Sequence, residues 1–156
     1  MFEFCYSLFE VNLNSITNVT SAANMFKYCY SLCFITATNF ASNADSVSCS
    51  VTFDECEALS VINLPNAKVT RLCAKGASGK LNKLTSVTFH PSSTFSSTTA
   101  PQLDLQYTTL TAEQINTIFT ALPTVTSKTV NVKGCIGAAT CDTSIATAKG
   151  WTVVKA

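Results

Sequence analysis

The sequence has little charge: Asp, Glu, Lys and Arg make up 12% of its 156 residues, and the formal net charge is +1. This balance argues against nucleic acid as a partner, because binding to a phosphate backbone depends on clustered basic side chains. No stretch of about 18 apolar residues occurs, so we expect no membrane insertion. Residues 1–5 do not read as a secretory signal, so any export signal is expected outside this sequence.

Sequence motifs of catalysis are also missing. There is one histidine, His90, and there is no Gly-rich phosphate loop, paired-carboxylate motif or His-Glu-x-x-His sequence. A Cys–His dyad would need an activated, partly exposed thiolate beside the histidine, and the spacing supplies none. We therefore expect His90 to be a surface residue at the end of a strand, and the protein to be neither an enzyme nor a binder of a cofactor.

An internal repeat dominates the first half of the sequence. Residues 1–8, MFEFCYSL, recur as residues 25–32, MFKYCYSL, and more divergent copies begin at Phe53 and Leu81. Such self-similarity is typical of solenoids, in which successive repeats stack about 4.8 Å apart. Stacking is predicted to form one buried row from the leucines Leu8, Leu32, Leu59 and Leu84.

Seven short segments have apolar residues at alternate positions, which is the period of a β-strand. They are predicted to form one parallel sheet. The segments are Val11–Leu13, Ile35–Ala37, Ile62–Leu64, Val87–Phe89, Leu103–Leu105, Val130–Val132 and Trp151–Val153.

The last third of the chain is predicted to contain two helices. Thr111 and Gln114 form a capping-box pattern, which is followed by apolar residues at helical spacing (Ile115, Ile118, Phe119 and Leu122) and then by Pro123. A shorter helix is expected over residues 143–149, ending at Gly150. The Ser/Thr-rich residues 92–99 are predicted to form a loop without a helix. The chain is thus expected to be one domain, with irregular repeats over 1–95 and helix-containing repeats over 96–156.

These repeats resemble the BspA-like, Treponema-type, leucine-rich repeats. The third repeat carries the resemblance best, as Cys56-x-x-Leu59-x-x-Ile62-x-Leu64-Pro65 followed by Val69 and Leu72. Residues 110–123 and 150–153 are similar to the repeats that close such arrays. The resemblance implies an α/β leucine-rich-repeat solenoid with a parallel sheet of about seven short strands, an irregular or short-helical convex side, and helices in the C-terminal repeats. Family members are adhesins, surface-binding proteins and virion components, which implies an extracellular, cell-surface or virion location.

The eight cysteines have several possible roles. Cys5, Cys29 and Cys56 share one repeat position with Leu81, so we expect a row of buried apolar residues; a straight row does not converge on a metal ion as a thiolate site must. Cys135 and Cys141 either close a small disulfide loop, or Cys135 is a buried thiol at a position where leucine-rich repeats place Asn or Cys. Cys49 and Cys73 form a weaker candidate pair.

The outward-facing strand positions are the candidate ligand-binding residues. They are predicted to form one polar, nearly uncharged column, suited to a protein or glycan ligand, although a merely solvated sheet would look the same. The column consists of Asn12, Thr36, Asn63, Thr88, Asp104, Asn131 and Thr152. Two functions remain open: a recognition module that binds through this face, or a structural subunit of a fibre, tail or filament that assembles through its uncapped first repeat.

Overall fold

The chain forms a mostly parallel β-solenoid of about six turns with few helices, seen in a computed structural model that describes all of residues 1–156. Its elements in chain order are β1 Glu10–Asn12, β2 Phe34–Thr36, β3 Val47–Cys49, β4 Val61–Leu64, β5 Val69–Cys73, β6 Ser86–Phe89, β7 Leu103–Asp104, α1 Ala112–Ala121, β8 Lys128–Asn131, α2 Ser144–Thr147 and β9 Trp151–Val154. No helix is long and apolar enough to cross a membrane.

The elements form two stacks along the solenoid. In stack A, β1 pairs with β2 and β4 pairs with β6, all parallel; β2 also contacts β4, and α1 and α2 continue the stack beyond β6. Stack B is a five-stranded parallel sheet in the order β3-β5-β7-β8-β9. Ser21 extends stack B by a parallel bridge to Ser48 of β3. Each turn therefore contributes one element to each stack.

The predicted single sheet of seven strands is wrong. Nine strands are present, and the first four predicted segments lie in stack A, whereas the last three lie in stack B. A period-two pattern identifies a strand but does not say to which side of the coil the strand belongs. The spacing between the strands indicates this change of side. Thr88 and Asp104 are only 16 residues apart, less than a full turn, whereas Asp104 pairs with Asn131, 27 residues later.

The predicted stacking of equivalent residues is confirmed. The backbone N–H of Phe2 donates to the carbonyl of Met25 at 2.9 Å, and that of Phe26 donates to the carbonyl of Thr52 at 3.0 Å. The rings of Phe2, Phe26 and Phe53 stack in register, with centroids 5.5 and 5.9 Å apart. The leucine row is also present: three of its members, Leu32, Leu59 and Leu84, are buried, and Leu8 packs against the same core.

The predicted helices are both present. Thr111 Oγ1 accepts a hydrogen bond from the Gln114 backbone at 3.4 Å, and Gln114 Oε1 accepts one from the Thr111 backbone at 2.9 Å, so the capping box is complete. Ile115, Ile118 and Phe119 are the buried residues of α1. The shorter helix, α2, lies inside the predicted range.

The Ser/Thr-rich segment is a loop without a helix, as predicted. Phe95 attaches it to the core, since its ring is fully buried and makes edge-on contacts with Phe89 and Trp151, at centroid distances of 5.2 and 5.1 Å. The buried side chains before and after this loop belong to one continuous core.

A row of hydrogen-bonding residues lies inside the coil where the cysteines were predicted to stack. Its members are Cys5, Cys29, Cys56, Asn82, Thr108 and Cys135, and all but the half-buried Cys5 are buried. The thiols of Cys29 and Cys56 donate to the carbonyls of Phe2 and Phe26, at 3.0 and 3.1 Å. Each buried thiol of the row thus satisfies a carbonyl group of the preceding turn.

The prediction that Leu81 is the fourth member of this row is wrong. Leu81 is only half-buried, whereas Asn82 is buried, bridges to Thr108, and donates from Nδ2 to the carbonyl of Ala74 at 3.1 Å. The fourth turn is one residue shorter between the row and Leu84 than the first three turns are, and this difference shifted the alignment. The row is therefore polar and hydrogen-bonded, not simply apolar.

The residue before the row adopts a left-handed backbone in most turns. The φ angles are 61° at Phe4, 62° at Tyr28, 57° at Glu55, 56° at Tyr107 and 70° at Gly134. This conformation costs a residue other than glycine roughly 1–2 kcal/mol. The corner of the coil imposes the same strained conformation turn after turn, and only one of these five residues is a glycine.

Candidate functional site

The structure separates the seven predicted ligand-binding residues into two groups. Asn12, Thr36, Asn63 and Thr88 lie on stack A, and Asp104, Asn131 and Thr152 lie on stack B. The prediction of one aligned column is therefore wrong, because the period-two pattern does not say to which side of the coil a strand belongs. Asp104 also departs from its predicted outward exposure, because it is only 5% exposed.

The stack A group forms a modest polar strip. Asn63 and Thr88 are exposed and hydrogen-bonded to each other through Asn63 Oδ1 and Thr88 Oγ1. Asn12 Oδ1 accepts from the backbone N–H of Asn14 at 3.0 Å. These side chains satisfy one another or the local backbone, and none of them carries a charge.

The stack B group belongs to a richer surface, which we call the stack B face: Asp54, Arg71, Lys75, Asp104, Gln106 and Asn131. On β7 and the residues after it, Leu103 and Leu105 point into the core, so Asp104 and Gln106 lie on the opposite side. The stack B face combines carboxylate acceptors with cationic and amide donors. The polar strip on stack A has no such combination.

Two carboxylates with different partners occupy this face. Asp54 Oδ1 accepts a hydrogen bond from the Lys75 backbone at 3.2 Å, whereas its Oδ2 lies 3.9 Å from Lys75 Nζ and has no hydrogen-bond partner. Asp104 is better satisfied, because the Gln106 side chain donates to its Oδ2 at 3.2 Å. The cation on the neighbouring strand, Arg71, donates from Nε to the carbonyl of Pro101 at 3.0 Å.

Burial changes the acidity of both carboxylates. Removal from water raises the pKa of Asp54 to about 6, and the backbone and the charge of Lys75 offset only part of that effect. Burial also raises the pKa of Asp104, against the hydrogen bonds from Gln106 and the charge of Lys75. The face therefore has two carboxylates that are harder to ionise than usual, with Lys75 acting on both.

The sequence reasoning missed Asp54, Arg71, Lys75 and Gln106. Arg71 belongs to β5, whose buried residues are Val69, Leu72 and Cys73, and this spacing hides the period-two signal of a strand. Asp54 lies within the third copy of the repeat, whose apolar positions predict stacking but give no signal for a polar site. Of the seven predicted ligand-binding residues, Asp104 and Asn131 belong to the stack B face.

All eight cysteines are free thiols in the structure. Cys135 Sγ donates to the carbonyl of Leu105 at 3.0 Å and Cys141 Sγ to that of Ala138 at 3.4 Å, so the two are directed to different acceptors. This is the buried-thiol alternative for Cys135, and the disulfide stays a prediction. Burial raises the pKa of Cys49 to about 12 and that of Cys73 to about 11, so neither is a reactive thiolate at neutral pH.

His90 follows β6 directly, at the strand end where it was predicted. It is half-buried, and its Nδ1 accepts a hydrogen bond from the backbone of Ser92 at 3.0 Å. No group of three or more His, Cys, Asp or Glu side chains lies close enough together to hold a metal ion.

Two concave regions lie elsewhere on the molecule. An open groove of about 540 Å³ lies between the loop residues 91–96 and the segment 123–128, and Ser and Thr predominate in its lining. A smaller pocket of about 140 Å³ lies between β6 and α1. Neither contains a carboxylate.

A second surface stands out in the first two turns. We call it the aromatic patch, and it comprises the exposed side chains Met1, Phe4, Tyr6, Phe9 and Phe34. Phe4 stacks on Tyr28 with ring centroids 4.9 Å apart, and Tyr6 stacks on Tyr30 at 5.3 Å. The patch is thus an ordered apolar surface built by the same stacking as the core.

Comparison of the chain with protein-family models, with curated proteins and with solved structures gives no match in any of the three. The protein is therefore described by its fold class alone, a mostly parallel β-solenoid with two helices. The resemblance to BspA-like leucine-rich repeats stays a prediction.

Proposed function

We propose that the protein is a non-enzymatic recognition module of leucine-rich-repeat type that binds a protein or a glycan through the stack B face. The observation that carries this proposal is that two buried carboxylates lie beside donors along stack B: Asp54 is beside Lys75, and Asp104 is beside Gln106, with the charges of Lys75 and Arg71 acting on it. Buried carboxylates beside cationic side chains can form directional hydrogen bonds with a ligand. A sheet that is only solvated has no use for such an arrangement.

The arrangement of stack B supports the leucine-rich-repeat part of the proposal. The fifth turn reads Leu103-x-Leu105-x-x-Thr108-x-Leu110 and the sixth reads Val130-x-Val132-x-x-Cys135. Leucine-rich repeats place a strand before an Asn or Cys that lies three residues beyond the last strand leucine. Here the row residue follows the stack B strand in the same way, and α1 and α2 lie on the other side of the coil. An extracellular, cell-surface or virion location follows from the resemblance and is part of the proposal.

The recognition function is tested by comparing the two faces. The protein is applied to arrays of defined glycans and of purified extracellular proteins, and each bound ligand is titrated against the variants Lys75→Glu, on the stack B face, and Asn63→Arg, on stack A. We expect Lys75→Glu to abolish binding and Asn63→Arg to leave it unchanged. The reverse result would move the binding site to stack A, and no binding on either array would count against a recognition module.

The aromatic patch favours a second candidate function, that of a structural subunit. Two pairs of exposed rings in the patch are in contact, Phe4 with Tyr6 and Phe9 with Phe34. Contiguous exposed apolar surfaces mark sites of association. A subunit of a fibre, tail or filament would assemble by covering the patch. Sedimentation velocity should then show a concentration-dependent increase in mass, which the double variant Phe4→Ser/Phe34→Ser abolishes. A wild-type protein that stays monomeric at high concentration would exclude assembly of this chain on itself.

A further inference from the structure

The gap between Asp54 and Lys75 is a place for a ligand atom. Nζ of Lys75 and Oδ2 of Asp54 are 3.9 Å apart, beyond the range of about 2.7–3.2 Å for an N–H···O hydrogen bond. Asp54 is 1% exposed, and its Oδ2 has no other partner. The Lys75 side chain is 43% exposed, whereas that of Asp54 is 2% exposed.

The chemistry of the two atoms selects the group that fits between them. The group must donate a hydrogen bond to the carboxylate and accept one from the ammonium. A phosphate or carboxylate of a ligand does not donate to Asp54, and an ammonium or guanidinium does not accept from Lys75, but a hydroxyl does both. A hydroxyl oxygen about 2.8 Å from each atom bridges the gap at an angle of roughly 90°.

A second acceptor and donor lie on the next turn. Gln106 pairs its amide with Oδ2 of Asp104, and Lys75 acts electrostatically on both Asp54 and Asp104. Asp54 follows β3 and Asp104 lies on β7, with β5 between them, so the two carboxylates are about two strand spacings, roughly 10 Å, apart, and one ligand must span that distance to reach both. A serine or threonine of a protein ligand offers one hydroxyl at such a place, whereas a sugar ring offers several.

We propose that the stack B face binds a saccharide, with one sugar hydroxyl bridging Asp54 Oδ2 and Lys75 Nζ and a more distant hydroxyl of the same ligand contacting Asp104 and Gln106. The inference rests on the recognition function proposed above and narrows it from protein or glycan to glycan. Binding requires the Lys75 side chain to shift, while the backbone N–H of Lys75 keeps Oδ1 of Asp54 in place.

The test uses the full chain and an array of defined neutral and acidic glycans, followed by calorimetric titration with the glycans retained. Lys75→Met keeps the length of the stem and removes the donor, and Asp54→Asn replaces the orphan acceptor by a donor. We expect each variant to weaken binding about tenfold or more, as for loss of a hydrogen bond to a charged group. The matched controls, Lys83→Met and Asp45→Asn, change exposed residues and should bind within about twofold of the wild type.

The outcomes separate this inference from the proposed function. A titration with a deoxy analogue of a bound sugar should reproduce the loss in the wild type, and a thermal melt of each variant excludes unfolding as the cause. Glycan binding that survives Lys75→Met and Asp54→Asn overturns the hydroxyl bridge. If no glycan binds but a protein ligand is lost in Lys75→Glu, the recognition function stands and the saccharide inference fails. If Lys75→Glu affects neither kind of ligand, both fail.

Discussion

Replacing Asp54 with Asn should change how the stability of the protein depends on pH. The pKa of Asp54 is raised from 3.8 to about 6 in the folded protein, so the folded state binds a proton more tightly than the unfolded state does. The free energy of unfolding therefore falls as the pH rises from about 4 to about 6. Linkage over this shift of about two units gives a loss of about 2 kcal/mol between pH 4 and pH 7.

The Asn variant removes this titration and retains an oxygen that can accept from the Lys75 backbone. Urea unfolding at pH 4 and pH 7 should show that the wild type loses about 2 kcal/mol more than Asp54→Asn between the two pH values. Comparing the two pH values cancels the pH-independent cost of an unpaired amide in the variant. The variant Asp45→Asn makes the same replacement at an exposed residue and controls for the substitution itself. Parallel pH profiles for the wild type and Asp54→Asn would refute the burial argument.

Three further predictions concern the coil itself. Leu59→Ala, at a side chain 2% exposed in the leucine row, should lower the free energy of unfolding by about 2–5 kcal/mol, whereas Val61→Ala, 44% exposed, should cost less than about 1 kcal/mol in the same urea titration. Glu55→Gly should raise the melting temperature, with a gain of about 0.5–1 kcal/mol, because glycine relieves the left-handed corner; a lower melting temperature would contradict the strain argument. Alkylation of the denatured, unreduced protein should add eight labels by mass; six labels would reveal one disulfide, which peptide mapping would assign to Cys135 with Cys141 or to Cys49 with Cys73.

The stacking of the coil could be predicted from the sequence because identical residues recur at a fixed interval. The match between residues 1–8 and 25–32 places Phe2 over Phe26 and Cys5 beside Cys29, and the structure has both in register. The first helix was predictable because its signals are local: the capping box at Thr111, the apolar period and Pro123 do not depend on tertiary contacts.

The division into two stacks could not be predicted by the same means. The segments Ile62 to Leu64 and Leu103 to Leu105 both read apolar-polar-apolar, so their local sequence patterns are alike. The site residues were hidden for a related reason. Lys75 and Asp54 become neighbours only when β5 is placed beside the third repeat, and Val69 and Leu72 interrupt the alternation that would have identified β5.

The replacement of strands by helices in stack A has a consequence for the shape of the stack B face. Packed helices are about 8–10 Å apart, whereas hydrogen-bonded strands are about 4.8 Å apart. From β6 through α1 to α2, stack A must therefore lengthen faster than stack B does across β7, β8 and β9. The coil is expected to bend in its last turns with stack B on the inside of the curve, which would cup the face around Asp104 and Asn131 and leave it flatter toward β3.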